Sequence, residues 1–240
     1  MLELLAPAGN LDAVIAAVQN GADAVYMGFG DGFNARRSAD NFTQESFAKA
    51  VRYCHIRGCK VYVTLNTLVG DREMDAAAAL AQQASDAGAD AILVQDLGLA
   101  RVLRAALPDI PLHASTQMSL FTLGGANAAA ALGMERVVLA RELDRDEVRE
   151  ICAGCGAEIE VFGHGALCMC YSGQCEMSAL IGGRSGNRGT CAQPCRLPYG
   201  FNGPAKNTYP LSLKDSCLAD RISDMERMDV SCLKIGRAHV

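Results

Sequence analysis

Along residues 1–165 the spacing of apolar positions changes period repeatedly. Short stretches such as ADAVYMGF (22–29), KVYVTLNT (60–67) and ADAILVQD (89–96) are rich in β-branched and aromatic residues and either alternate or run unbroken. Between them, NLDAVIAAVQNG (10–21), TQESFAKAVRYCHIRG (43–58) and EMDAAAALAQQASDAG (73–88) place apolar residues three and four apart, as one face of a helix requires. The exchange continues through LGLARVLRAALP, IPLHASTQ, LGGANAAAALG, RVVLARE, DRDEVREICAGCG and EIEVFGHG. Helical segments close on Gly21, Gly58, Gly88 and Gly133, where a left-handed residue ends a helix at least cost.

Strict alternation of strand and helix predicts a parallel sheet. Seven strands precede residue 166; an eighth, DVSCLKI (229–235), follows a helix predicted over DSCLADRISDMERM (215–228). Eight such units predict a TIM-like (β/α)8 barrel with a Cys-rich insertion after strand 7. Residues 1–240 then form a single domain, with 165–210 as the cysteine-rich region. A doubly wound open sheet is the alternative, but it usually carries a glycine-rich phosphate turn after its first strand, and APAGN (6–10) is not one. The near-repeat of GADAVYMG and GADAILVQ suits a barrel built of similar units.

In a barrel of this kind the site lies at the carboxyl ends of the strands, and alternate residues point inward. Period two sends Val61, Val63 and Leu65 toward the helices and Tyr62, Thr64 and Asn66 inside. It likewise directs His113, Ser115 and Gln117 inward, and Glu160, Phe162 and His164 inward while Ile159 and Val161 face out. Polar side chains thus gather toward the strand ends, where a packed layer would be Val, Ile or Leu.

Composition narrows the class. No apolar run approaches the length of a membrane span, and MLELLAPAGN lacks the basic-then-apolar pattern of an export signal, so a cytoplasmic location is expected. The net charge of −5 argues against a general nucleic-acid binder. Its distribution is uneven, however: no acidic residue lies between Glu176 and Asp215, whereas Arg184, Arg188, Arg196, Lys206 and Lys214 do, which suits an anionic substrate. The 11 cysteines are also regional, with only Cys54 and Cys59 before position 150. In a chain without an export signal they point to metal or reactive thiols rather than disulfides.

Cys168, Cys170 and Cys175 follow the seventh strand, then Cys191 and Cys195 in GTCAQPCR, and later Cys217 and Cys232. Four thiolates suit structural zinc or an iron-sulfur cluster. The spacings are looser than paired zinc knuckles and favour iron-sulfur. Cys170 is too near Cys168 for both to ligate easily. The CxxC of Cys152 and Cys155 lies at a helix end without a redox context, and Cys54 and Cys59 read as buried apolar residues. Glu160 and His164, on one strand face beside the cysteine loop, are candidate catalytic residues. Arg36, in the loop after the second strand, is another, since an arginine there can clamp a carboxylate or phosphate. Asn34, Asn66, Gln117, Arg184 and Arg188 are candidate substrate-binding residues.

At EVFGHGALCMCYSGQCEMS and GTCAQPCR, supported by LLAPAGNLDA, GADAVYMG, FNAR, NTLV, GADAILVQDLG and VVLARE, the chain resembles peptidase family U32, the collagenase-like peptidases. The resemblance covers essentially the whole chain. It implies a barrel whose iron-sulfur cluster, 4Fe–4S in type, is ligated from the loop after the seventh strand. Cys168, Cys175 and Cys191 carry over as ligands and Cys195 as the fourth, with Cys217 and Cys232 as other candidates for it. It also implies one of three activities: oxygen-independent hydroxylation of a tRNA or rRNA base, proteolysis, or a role as a hetero-partner subunit in ubiquinone hydroxylation. The sequence has no HExxH helix and no GxSxG elbow, which favours redox chemistry over hydrolysis. RNA and an anionic small-molecule co-substrate are the expected partners. After LKI the family continues Glu-Gly-Arg, whereas this chain reads GRAHV. Ile-Gly-Arg-Ala-His-Val translates ATC GGA AGA GCA CAC GTC, a common sequencing-adapter read, so residues 235–240 are expected to be non-native.

Overall fold

The computed structural model describes residues 2–30, 32–35, 41–200, 203 and 208–236. Its strands are β1 (Glu3–Pro7), β2 (Ala24–Met27), β3 (Lys60–Leu65), β4 (Ala91–Val94), β5 (Leu112–Ala114), β6 (Arg136–Val138), β7 (Glu158–Gly165), β8 (Ser216–Cys217) and β9 (Cys232–Ile235). All but β8 pair in parallel, and the β6–β7, β7–β9 and β9–β1 pairings close them into an eight-stranded TIM-like barrel. Around it run α1 (Leu11–Gln19), α2 (Gln44–His55), α3 (Met74–Asp86), α4 (Leu97–Ala106), α5 (Leu123–Ala131) and α6 (Arg145–Gly154). The segment between β7 and β9 carries α7 (Met177–Gly182) and α8 (Ile222–Arg227). No helix among the described residues is long and apolar enough to cross a membrane.

Period two sorts the strands as the pattern predicts. Val61, Val63, Leu65, Ile92 and Val94 pack outward on Phe47, Ala50, Ala81, Leu99 and Leu103 of the helices. Leu5, Ala24, Tyr26, Tyr62, Ala91, Leu93, Val138 and Cys232 face the axis. Alanines on α3 (Ala77, Ala81, Ala84) are fully buried, so that helix lies close on the sheet. Helix starts are fixed by Asn10, Thr43, Asp96, Thr122 and Asp144, each accepting a backbone N–H through its side chain. Gly21, Gly58, Gly88 and Gly133 all have φ between +71° and +95°, the left-handed helix ends expected of them.

Two local expectations change. The helix predicted from residue 215 starts only at Ile222, because Ser216 and Cys217 pair antiparallel with Gly165 and His164. That pairing satisfies backbone at the outer end of β7, where a helix would leave it open. The β7 register to β9 shifts between Phe162 and His164. A Cβ on Gly163 would lie 2.5 Å from a Leu233 methyl, so a larger residue there would have to displace the Leu233 side chain. Ile235 closes β9 and its carbonyl accepts from the Tyr26 hydroxyl at 3.0 Å. Residues 237–240 lie outside the described residues.

Candidate functional site at the barrel mouth

The carboxyl ends of the strands open into a cavity of about 340 Å³. Tyr26, Phe162 and Lys234 form its floor, Asn34, Asn66, Ser115 and Gln117 line its wall, and Cys168, Cys175, Cys191 and Cys195 border it from the cysteine lobe. The wall is pre-set by its own hydrogen bonds. Asn66 accepts from Ala35 N–H at 3.0 Å and donates to Ser115 Oγ at 3.2 Å, while Asn34 donates to Asn41 at 2.8 Å. A second cavity, about 590 Å³, lies between α6 and α8; no cysteine lines it, and it shares Arg141, Phe162 and Leu167 with the mouth cavity.

The lobe is sewn to the barrel rather than draped over it. Asn187 donates to Gln95 Oε1 at 2.6 Å and accepts from Leu68 N–H at 2.9 Å, and Gln95 donates to the Gln117 carbonyl at 3.0 Å. Ser172 gives its N–H and hydroxyl to Glu142 at 2.7 and 3.0 Å. Gly173 (φ +80°) lies so close to Gln117 that a Cβ would be 2.6 Å from its carbonyl oxygen. Arg196 donates to the Leu167 carbonyl at 3.0 Å and Ser212 Oγ at 2.8 Å, and lies 3.8 Å from Asp215. These ties bring two cysteine segments over one opening.

All 11 cysteines are free thiols. Burial pushes the Cys195 thiol above its ordinary pKa; Arg196 opposes this, and Cys168, Cys191 and Cys175 are near enough to push it further up. The four expected ligands therefore share one cavity and one electrostatic neighbourhood. Cys170 does not line the cavity. Cys217 sits on β8, and Cys232 is fully buried in the barrel interior, where burial and Glu160 push its thiol up. Among the described residues no three His, Cys, Asp or Glu side chains close around a single metal ion. A multi-iron cluster spreads its thiolates more widely than one ion does. Four unbridged thiols around one opening are the donor chemistry such a cluster needs.

The other predicted residues are dispersed. Glu160 is fully buried beneath the floor, its carboxylate 2.8 Å from Lys234 Nζ and 3.6 Å from Arg136. His164, past the register shift, lines neither cavity and engages Cys217 and Gly236 through its backbone. Arg188 is held bidentate by Glu73 at 2.7 and 3.0 Å, and Arg184 donates to the Thr190 carbonyl. The basic lobe is thus partly neutralised by carboxylates outside it. Arg36 and Lys206 lie outside the described residues.

Two residues escaped the reading of the pattern. Lys234 lies 4.4 Å from the Tyr26 ring centroid and 5.8 Å from that of Phe162, putting an ammonium at the cavity floor. Period two applied to CLKI would have found it, since Cys232 and Lys234 share the inner face. Arg141, with its guanidinium 4.3 Å over Phe162 and donating to the Ala166 carbonyl, lies beyond β6 where no periodicity applies.

Below the floor the barrel interior holds a run of charged side chains among its aliphatic ones, where packed layers are usually aliphatic throughout. Lys234, Glu160, Arg136 and Glu3 succeed one another toward the amino-terminal face, with Arg136 2.5 Å from Glu3 and Tyr62 donating to Glu3 at 3.0 Å. Small neighbours, Ala24 and Ala91, leave room for these long side chains. Burial raises the Glu3 pKa, but the hydrogen bond and charge of Arg136, with Tyr62 and Lys60, bring it net below the usual carboxylate value.

A parallel eight-stranded barrel with a thiol-bearing lobe at its mouth defines an α/β-barrel protein whose site is built from strand ends and the lobe after β7. The chain belongs to peptidase family U32, whose family model matches residues 9–239. It is 46% identical over 198 residues to the 23S rRNA 5-hydroxycytidine C2501 synthase of Escherichia coli, covering 82% of this chain and 30% of that protein. It is 38% identical to tRNA hydroxylation protein P1 of Bacillus subtilis, covering 97% of this chain and 58% of that one. The collagenase of Porphyromonas gingivalis is 37% identical, covering 98% and 61%. The chain thus spans about a third to three fifths of the length of these relatives. Among solved structures, the U32 peptidase Mk0906 superposes with a TM-score of 0.68 at 14% identity, covering 100% of this chain and 94% of that one.

Proposed function

We propose that this chain is an iron-sulfur barrel acting in the oxygen-independent hydroxylation of an RNA base, in tRNA or rRNA, in the cytoplasm. The observation that carries this reading is the convergence of Cys168, Cys175, Cys191 and Cys195 on one cavity with polar walls. The names of the rRNA and tRNA hydroxylation relatives support the substrate class. Those four thiols would hold a 4Fe–4S cluster, which when bound supplies one-electron transfer. The chain's own groups account for the rest. Lys234 and Arg141 offer positive charge at the floor to an anionic small-molecule co-substrate. Asn66, Ser115 and Gln117 present hydrogen-bonding groups suited to a base edge. A cavity of this size at a barrel mouth reaches only a base that is unpaired or extruded.

The test joins two measurements. Anaerobically purified protein should be brown and contain iron. Nucleoside mass spectrometry of tRNA and rRNA from a deletion strain should show a hydroxylated base lost and then restored by the intact gene. An iron-free protein that degrades gelatin, with unchanged nucleosides, would overturn the reading in favour of proteolysis. A cluster-bearing protein needed for quinone hydroxylation instead would make it a subunit of a different system.

A further inference from the structure

Phe121 and Tyr171 stack on each other at the rim of the mouth, with ring centroids 6.0 Å apart and planes 20° from parallel. Both are exposed, Phe121 by 48% and Tyr171 by 62%. Single exposed apolar residues are ordinary. Here, however, two loops distant in sequence each lift a ring out of the surface and align them. Most other large rings of the barrel, including Phe29, Phe42, Phe47, Tyr26 and Tyr62, are buried.

The pair is fixed in place. Tyr171 belongs to the loop bearing Cys168 and Cys175, and its neighbours Ser172 and Gly173 line the mouth cavity. Ser119, two residues before Phe121, donates through Oγ to the Ser172 carbonyl at 2.5 Å and accepts from Gln174 Nε2 at 2.8 Å. The loop that borders the cavity with thiols therefore also sets the angle of one ring against the other. Glu142, an exposed carboxylate beside this loop, accepts from the Ser172 N–H and hydroxyl and so helps hold the loop, while keeping its negative charge. The adjoining stretch between Glu176 and Asp215 is free of acidic residues, and its Arg184 and Lys214 are exposed.

We propose that Phe121 and Tyr171 form a stacking platform for an unpaired nucleobase of the RNA strand whose target base enters the cavity. This inference rests on the RNA reading above. At 6.0 Å the rings already occupy one another's inner faces, so the base stacks on an outer face. Stacking on an aromatic side chain is tolerant of base identity, while neighbouring cations track the phosphates. The platform then orients the strand, and recognition of the target base is left to the cavity.

Fluorescence anisotropy with a labelled single-stranded oligoribonucleotide, and with the same strand made abasic, tests it. Phe121→Ala and Tyr171→Ala should each weaken binding roughly ten-fold, in line with the usual worth of one stacked base. Phe121→Trp and Tyr171→Phe should keep affinity, and the alanine changes should matter little for the abasic strand. The dependence on salt should be unaltered, since no phosphate contact is removed. Alanine variants that melt like the parent yet bind RNA as tightly would overturn the platform. So would equal losses on intact and abasic strands, or lost association with a protein partner at unchanged RNA affinity. If the parent chain binds no RNA, the RNA reading falls along with the platform; if it binds and the variants match it, the platform alone falls.

Discussion

Lys234 Nζ lies 2.8 Å from Glu160 Oε1 inside the barrel, where the two side chains are 5% and 0% exposed. A charge pair this deep adds little net stability over an apolar pair, but removing one partner strands the other. Lys234→Met leaves Glu160 facing only Arg136 at 3.6 Å, with its Oε2 lacking a hydrogen bond. The expected loss is about 3–5 kcal/mol in urea unfolding at neutral pH. The double variant Glu160→Gln/Lys234→Met should recover much of it. If the single change cost under about 1 kcal/mol, the pair would have to be solvated from the cavity rather than held dry.

His113 gives a separate dependence on pH. Its pKa is held well below 6.5, first by burial and then by Arg136, Lys234 and Lys60, and its Nδ1 has no hydrogen-bond partner. The folded state keeps this imidazole neutral while the unfolded chain protonates it. Its contribution is therefore fully present above about pH 6.5 and is lost as pH falls, by roughly 1.4 kcal/mol per unit until the folded pKa is reached. Glu3 acts in a lower window: its depressed pKa contributes above about pH 4.5 and is lost below. Chemical denaturation across pH 5–7 should show a slope in the parent that His113→Phe flattens. An identical slope in the variant would assign the dependence to another group.

The barrel was legible because its cause is local. Glycine-ended helices and strand alternation each follow from a few adjacent residues, and the inner and outer assignments of Tyr62, Val63 and Asn66 are period two alone. The thiols stood out as a group because cysteines crowd into the later part of the chain, and the fold brings four of them to one cavity. What their positions hid was distance in sequence. Arg188 reads as a free cation until the fold brings Glu73 to it, and Glu160 reads as a mouth residue until Lys234, seventy-four positions on, pairs with it below the floor. His164 left the inner face because of a register shift between β7 and β9 that no pattern within one strand announces.

Gly173 tests how the lobe is seated. Any Cβ there meets the Gln117 backbone, and φ of +80° is unfavourable for other residues. Conformations of this type cost about 1–3 kcal/mol. Because the loop is peripheral to the barrel core, Gly173→Ala should shift the loop rather than unfold the protein. Thermal melting should change by only a few degrees, while iron retained after anaerobic reconstitution falls several-fold. Gly182→Ala, where a Cβ meets nothing within 4 Å, is the control and should leave both unchanged. Equal iron in both variants would show that the Gln117 contact does not set the position of Cys168 and Cys175.

The fourth ligand of the proposed cluster can be decided by contrast among cysteines. Cys195 lines the cavity and feels the Cys168, Cys175 and Cys191 thiols, whereas Cys217 lies exposed on β8 and Cys170, although in contact with Cys175, does not line the cavity. Serine at 168, 175, 191 or 195 should therefore abolish or sharply reduce bound iron and its visible absorption, while serine at 170 or 217 should leave both intact. Cys232→Ser should act differently from either set. Its fully buried position in the barrel interior predicts a loss of stability of about 1–3 kcal/mol from an added polar group, with iron per folded chain retained. If serine at 217 removed the iron and serine at 195 did not, the cluster would sit toward the β7–β8 edge. The proposal that electron transfer takes place at the mouth cavity would then fall.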